Sequence, residues 1–397
     1  MINKVELLAP AGDCNRGKTA LDFGADAIYF GARQYSLRAK ASNFDTDDIN
    51  EISIYAHNLN KKIYLVTNIL CHSHMADGFL PFLNSVQKYK PDAYICSDPY
   101  IIKTIHEYDK DAQIHISTQQ SVSNSKAALF WQRNGATRII LSREVTFDEL
   151  KQMIINIDKK IEIEVFIHGA VCIAYSGRCM LSNNFCFRDA NIGGCAQSCR
   201  WSLKLLDGNH QLISEHFTMS AKDMCQITNV KNLIEIGVTS FKIEGRMKSE
   251  HYIATVVNDY RKTIDAYYNN IEIGDQYIND IKAAANRETS FAWYYGKPGI
   301  DQMLYHEIPK TVTQNFVLTV IDKINDTTYS GLTRNYFDKT TSFEILGRKL
   351  IQIENARIIS IKQNNEEIDA ARTPMSKVVI TFDKPLDLVK NDIIRIK

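Results

Sequence analysis

Five of the nine cysteines in this 397-residue chain stand between residues 164 and 199, at Cys172, Cys179, Cys186, Cys195 and Cys199. Glycines, asparagines and charged residues surround them, which is not the setting of small apolar core side chains. The stretch opens as a strand, where Ile161, Ile163, Val165 and Ile167 alternate with Glu162, Glu164, Phe166 and His168, and it breaks at Gly169. A disulfide framework belongs to an oxidising compartment. The start MINKVELLAPAGD lacks the charged and apolar regions of a secretory signal. Thiolate ligation of a metal or a cluster is the chemistry that remains.

Structural zinc sites usually bring their cysteines in as Cys-x-x-Cys knuckles, and the sequence has none. Its spacings are Cys172-x6-Cys179 and Cys195-x3-Cys199. Four soft ligands at varied spacing favour an iron–sulfur cluster over zinc, with a 4Fe-4S cluster the expected cofactor although spacing does not fix its type. We expect Cys172, Cys179, Cys195 and Cys199 as the ligands. The first pair flanks a turn at Gly177, and the second pair would face one point if its segment is helical. Cys186 and Cys225 stay open as replacements for one of the four.

Something must hold these thiols, and the rest of the first 245 residues has a regular rhythm. Apolar runs at 5–10, 27–32, 62–68, 93–98, 113–119, 138–142, 163–169 and 240–245 alternate with helical patterns such as 46–60, 80–89, 125–134 and 146–156. Eight such units predict an α/β fold, a (β/α)8 TIM-like barrel. An open doubly wound sheet would want a glycine-rich phosphate loop after the first strand, and Ala9-Pro10-Ala11-Gly12-Asp13 is not one. The cysteines lie in an insertion after strand seven, so they share the catalytic face with polar strand ends. Those ends carry Asp13, Arg33, Thr67, Asn68, Ser97, Asp98, Thr118, Gln119, Arg143, Glu144, His168, Glu244 and Arg246. Arg246, His168, Glu244, Arg33, Asn68 and Gln119 are the candidate catalytic residues. The bland alternative is that polar residues end strands because loops are wet.

The cysteine stretch also carries a resemblance. Glu164-x-Phe166-x-x-Gly169-Ala170-Val171-Cys172-x4-Gly177-x-Cys179-x-Leu181-Ser182 is similar to the signature of the collagenase-like peptidase family U32. The likeness continues through Arg188-Asp189-x-Asn191, Cys195-x3-Cys199-Arg200-Trp201, Ser220-Ala221-Lys222-Asp223, Lys242-Ile243-Glu244-Gly245-Arg246, Asn286-Arg287 and Tyr295-Gly296-Lys297-Pro298-Gly299. It most resembles the family's tRNA-hydroxylating branch. It implies a barrel, a tRNA partner and O2-independent hydroxylation of a wobble uridine to 5-hydroxyuridine. It also implies prephenate as a small anionic co-substrate and hydroxyl donor. Arg33, Arg143 and Arg246 suit bidentate capture of such a dicarboxylate. The plainer reading makes them salt bridges to Asp26, Glu144 or Glu244.

The expected organisation is a catalytic barrel over 1–270 with a Cys-rich insertion at 170–239, a connector over 271–310, and a small C-terminal all-β barrel-like domain over 311–397. Within the insertion, a hairpin is expected over 202–213, and a helix from the Ser220 cap to Gly237. An amphipathic helix over 247–269 closes the barrel. Connector aromatics Phe291, Trp293, Tyr294 and Tyr295, interleaved with Arg287 and Lys297, suit either base stacking or a packed joint. Arg178, Arg188, Arg200 with Trp201, and Lys248 are the expected contacts to an RNA backbone.

Composition constrains the function less. A net charge of +1 advertises no global attraction to nucleic acid or membrane. No apolar run is long enough to span a bilayer, so we expect a cytoplasmic protein. A peptidase would need a recognisable site, and neither His-Glu-x-x-His nor Gly-x-Ser-x-Gly occurs. A peptidase, or a non-catalytic RNA-binding or cluster-carrying partner, remain the alternatives to a hydroxylase. The sequence leaves the oligomeric state open.

Overall fold

The computed structural model describes residues 4–37, 42–272, 276–285, 287–305, 316–347, 352–353 and 356–396. Through residue 243 the strands are β1 (Glu6–Pro10), β2 (Ala27–Gly31), β3 (Lys62–Thr67), β4 (Ala93–Cys96), β5 (Ile114–Ile116), β6 (Arg138–Ile140), β7 (Glu162–Gly169), β8 (Leu203–Leu206), β9 (Leu212–Phe217), β10 (Asp223–Cys225) and β11 (Ser240–Ile243). Strands β1 to β7 pair in order and in parallel. Strand β11 pairs with both β1 and β7, which closes an eight-stranded parallel barrel. The eight apolar runs read from the sequence are these strands, because a barrel strand is buried on both faces and reads as nearly continuous apolar sequence.

Capping residues set the helix starts. Asp45 and Thr146 form capping boxes with Asp48 and Glu149, and Asn124, Asp98 and Asp13 each accept a first-turn N–H. Asp13 and Asp98 are therefore spent on helix caps. The outer layer of the barrel packs Leu7, Ile28, Ile63 and Phe241 against helix residues such as Ile52, Leu83, Ile105 and Val257. The inner layer is Leu8, Tyr29, Tyr64, Val66, Ile95 and Ile140 with Phe166. Below it the barrel floor is charged. Arg138 pairs with Glu6, Glu162 and Glu164, and Lys242 pairs with Glu164 at 2.8 Å.

The insertion between β7 and β11 contains the expected hairpin, β8 with β9. The expected helix start at Ser220 is corrected. Residues 223–225 form β10, which runs antiparallel to the end of β7, and the helix begins only at Val230. The Asp223 carboxylate is buried against Arg287 at 2.6 Å and Lys248 at 3.4 Å, and these pairs outweigh its value as a capping residue. The helix ends as expected before Gly237, at φ 96°.

Ser249 caps the closing helix Glu250–Tyr268. Beyond it, helix Gln276–Ala284 packs on the closing helix. The C-terminal residues form an antiparallel eight-stranded sheet with its own apolar core, including Val317, Tyr329, Ile345, Val378 and Phe382. It rests on both of these helices. Arg395 reaches Asp280 at 2.9 Å and also pairs with Glu344, Arg334 reaches Glu250 at 3.0 Å, and Phe316 stacks on His251. The domain boundary expected near residue 310 and the motif residue Asn286 lie outside the described residues. Among the described residues no helix is long and apolar enough to cross a membrane.

Candidate active site at the barrel mouth

A cavity of about 420 Å³ opens at the C-terminal ends of the strands, and the insertion roofs it. Cys172, Cys179, Cys195 and Cys199 all line it. Two anchors hold the turn that joins the first pair. Glu144 accepts from the Ser176 N–H at 2.6 Å, and Arg178 Nε donates to the Gln119 carbonyl at 2.8 Å. The turn itself needs left-handed backbone at Ser176 and Gly177, and a β-carbon on Gly177 would crowd the Gln119 amide. The helical geometry expected for Cys195 and Cys199 is absent. Gln197 takes φ 58°, and a short 3-10 turn, Ser198–Arg200, presents the second thiol.

The electrostatics tie the four thiols together. Burial pushes the Cys199 thiol up, neighbouring Arg200 opposes that, and Cys172, Cys195 and Cys179 act on it in turn. The Leu181 N–H lies 3.4 Å from the Cys179 sulfur. Cys186 instead donates to the Ser182 carbonyl at 3.1 Å. Cys225 is buried beside the Tyr260 hydroxyl, 3.8 Å away, and does not line the cavity. Among the described residues no three His, Cys, Asp or Glu groups are gathered closely enough to hold a single metal ion. Four thiols lining one cavity are nonetheless the kind of donor set that an iron–sulfur cluster requires.

Cations line the same cavity. Arg143 lies 3.7 Å over the Phe166 ring and 3.8 Å from Glu244. Arg246 donates to Ser36 at 2.9 Å and Asn43 at 2.5 Å, and a β-carbon on Gly31 would overlap its guanidinium. Arg200, Lys248 and Arg287 line the same space, with Lys242 at its base. Burial pushes Arg200, Lys242 and Lys248 each below its ordinary value. Arg200 Nη1 is buried with no hydrogen-bond acceptor among the described residues. A cavity with this wall favours an anionic ligand.

Of the six candidate catalytic residues, Arg246, Glu244, Asn68 and Gln119 line this cavity. Arg33 and His168 do not. The Arg33 side chain is 70% exposed and pairs with Asp45 on the outer surface. For His168 the cause is a bulge. Lys242 faces Phe166, but Ile243 faces His168, so the register slips by one and re-aims the side chain. His168 is sealed between Tyr252 and Tyr260, and burial pushes it down to about 4.

Lys242, Arg287 and Asp223 were not read as site residues from the sequence. Period two finds the first of them, since Lys242 sits two residues before Glu244 on the same strand face. The other two stand in the motifs Ser220–Asp223 and Asn286-Arg287 of the family resemblance, and the ion pair that joins them links segments distant in sequence.

A (β/α)8 barrel with its polar side chains and a thiol-rich insertion gathered at the C-terminal mouth defines a class of barrel enzyme. The sequence matches the model of peptidase family U32 over residues 12–304, and the chain belongs to that family. It is 41% identical over 394 residues to the tRNA hydroxylation protein P1 of Bacillus subtilis, covering 96% of this chain and 93% of the relative. It is 37% identical to an uncharacterized protease of Methanocaldococcus jannaschii, over 74% of each chain. The 23S rRNA 5-hydroxycytidine C2501 synthase of Escherichia coli is 36% identical over 66% of this chain and 40% of its own length.

Proposed function

We propose that this protein is an RNA-modifying hydroxylase, acting on a tRNA wobble uridine to give 5-hydroxyuridine, in the cytoplasm and without molecular oxygen. The observation that carries the reading is one cavity that joins four thiols to a cationic wall. Relatives named for tRNA hydroxylation and for rRNA hydroxycytidine synthesis support the RNA substrate. Cys172, Cys179, Cys195 and Cys199 would hold a 4Fe-4S cluster. When bound, such a cluster supplies one-electron chemistry beside the substrate.

The chain's own groups bind and orient. Arg246, Arg143 and Arg200 present guanidinium donors to a small dicarboxylate, for which prephenate is the expected co-substrate. Glu244 steadies Arg143 and keeps its donors aimed inward. Asp223 does the same for Lys248 and Arg287. Asn68 and Gln119 offer amides suited to reading a base edge. Phe166 and Tyr29 close the base of the cavity against water.

The peptidase alternative draws on the name of the family and on relatives named as a protease and a collagenase. A thiol or hydroxyl nucleophile would need a base beside it, and His168 is sealed under two tyrosines.

Mass spectrometry of tRNA nucleosides from a deletion strain tests the proposal. Loss of 5-hydroxyuridine, restored by the intact gene, is the expected result. An unchanged nucleoside profile would sink it.

A further inference from the structure

Phe187 is 96% exposed, more than any other large apolar side chain among the described residues. It ends the helix Leu181–Cys186 at φ 54°, with its N–H on the carbonyls of Asn183 and Ser182. Glycine is the usual occupant of that position, because a β-carbon disfavours left-handed backbone. A phenylalanine here opposes the local backbone and gains no burial, so neither folding nor packing accounts for it.

Its location is informative. Ser182 and Ala190, on either side of it in sequence, both line the cavity, so the segment that carries the ring begins and ends at the cavity. Tyr175, Met180, Phe185 and Trp201 are also exposed in this insertion. Phe185 and Trp201 meet edge to face with centroids 6.1 Å apart. Arg188 follows Phe187 directly, and Arg178 is exposed on the same segment. Aromatic faces interleaved with arginines are the composition of a single-strand nucleic-acid platform.

We propose that Phe187 is a stacking wedge for single-stranded RNA. Its ring takes the place in the stack left by the base that enters the cavity. Phe185 and Trp201 carry a neighbouring base, and Arg178 and Arg188 meet phosphates. The inference rests on the RNA-hydroxylase reading and adds how the target base is extracted, since a base must leave its stack to reach a recessed site.

The test compares F187G, F187L and F187W with wild type, each as the full-length iron-loaded protein. The readouts are binding of a short RNA stem–loop with uridines in its loop, and steady-state modification of tRNA. Base–aromatic stacking predicts that F187G binds the stem–loop roughly tenfold more weakly, with a matching rise in KM for tRNA. F187L should behave like F187G, and F187W should bind as wild type does. The melting temperature and iron content of F187G should hold or improve, because glycine suits the backbone. Equal binding and KM in F187G and wild type would overturn the wedge alone. A variant that changes only the sedimentation behaviour would assign the ring to a protein contact and overturn it too. A wild-type protein that neither binds nor modifies RNA would overturn the hydroxylase reading and the wedge with it.

Discussion

The barrel buries charge at both ends, in different ways. At the floor, Arg138 and Lys242 meet three carboxylates, Glu6, Glu162 and Glu164, with Tyr64 and Ser240 filling the remaining hydrogen bonds. At the mouth, Arg143, Arg200, Arg246, Lys248 and Arg287 meet two carboxylates among the described residues, Glu244 and Asp223. The floor neutralises its cations with its own carboxylates, as buried ions require when nothing else will arrive. Among the described residues that line the mouth, cations outnumber carboxylates, and Arg246 donates to a hydroxyl and an amide. Charge at the floor is matched within the barrel, whereas charge at the mouth lines a cavity.

The largest expected effect is at the mouth. Cys199→Ser, like Ser at Cys172, Cys179 or Cys195, should abolish bound iron and activity, and Cys96→Ser should retain both. Metal analysis of anaerobically purified protein decides, and iron retained in Cys199→Ser would move the fourth ligand to Cys186 or Cys225.

At the floor, Glu164→Gln leaves Lys242 and part of Arg138 uncompensated in a buried site. It should cost about 3–5 kcal/mol in urea unfolding. A loss under about 1 kcal/mol would erase the contrast between the two ends.

Arg246→Ala should lower kcat/KM by roughly ten- to hundredfold, the worth of a charged hydrogen bond of about 1.5–3 kcal/mol. Iron content should be unchanged, and full activity would remove Arg246 from the site.

The smallest effect is a slope. His168 is held near 4, below the ordinary value of about 6.5. Between those values the unfolded chain binds the proton and the folded chain does not. Stability is therefore complete above that window and is lost as pH falls through it, by about 1.4 kcal/mol per unit. Unfolding curves at several pH values should show a shallower acid loss in His168→Gln. An identical slope would mean that this histidine is not sealed.

How much the sequence reveals follows from the same physics. All eight barrel strands were legible because burial on both faces writes a continuous apolar run. The hairpin and the ends of the helices were legible through Asp207-Gly208 and Gly237, whose backbone roles are local. Density marked five cysteines and spacing picked the four that line the cavity, although the helical geometry expected for Cys195 and Cys199 is absent. His168 was misplaced because strict alternation cannot foresee a bulge, which depends on what the partner strand does. Ser220 looked like a helix cap because the ion pairs that hold Asp223 in a strand come from Lys248 and Arg287, distant in sequence. Lys242 stayed hidden inside an apolar strand, where one charge resembles an interruption rather than a partner for Glu164.

Closure of the barrel by β11 has a consequence for the order of assembly. Between β7 and β11 lie 70 residues, where the crossover from β6 to β7 has 21. The longer loop adds only about 1 kcal/mol of closure entropy, so the finished ring hardly registers it. Timing registers it more. A chain emerging from the ribosome presents all four thiols before the strand that completes the barrel beneath them exists. The thiol-bearing segment is thus synthesised over an open sheet, and the last rung can join only after the roof of the mouth has been made.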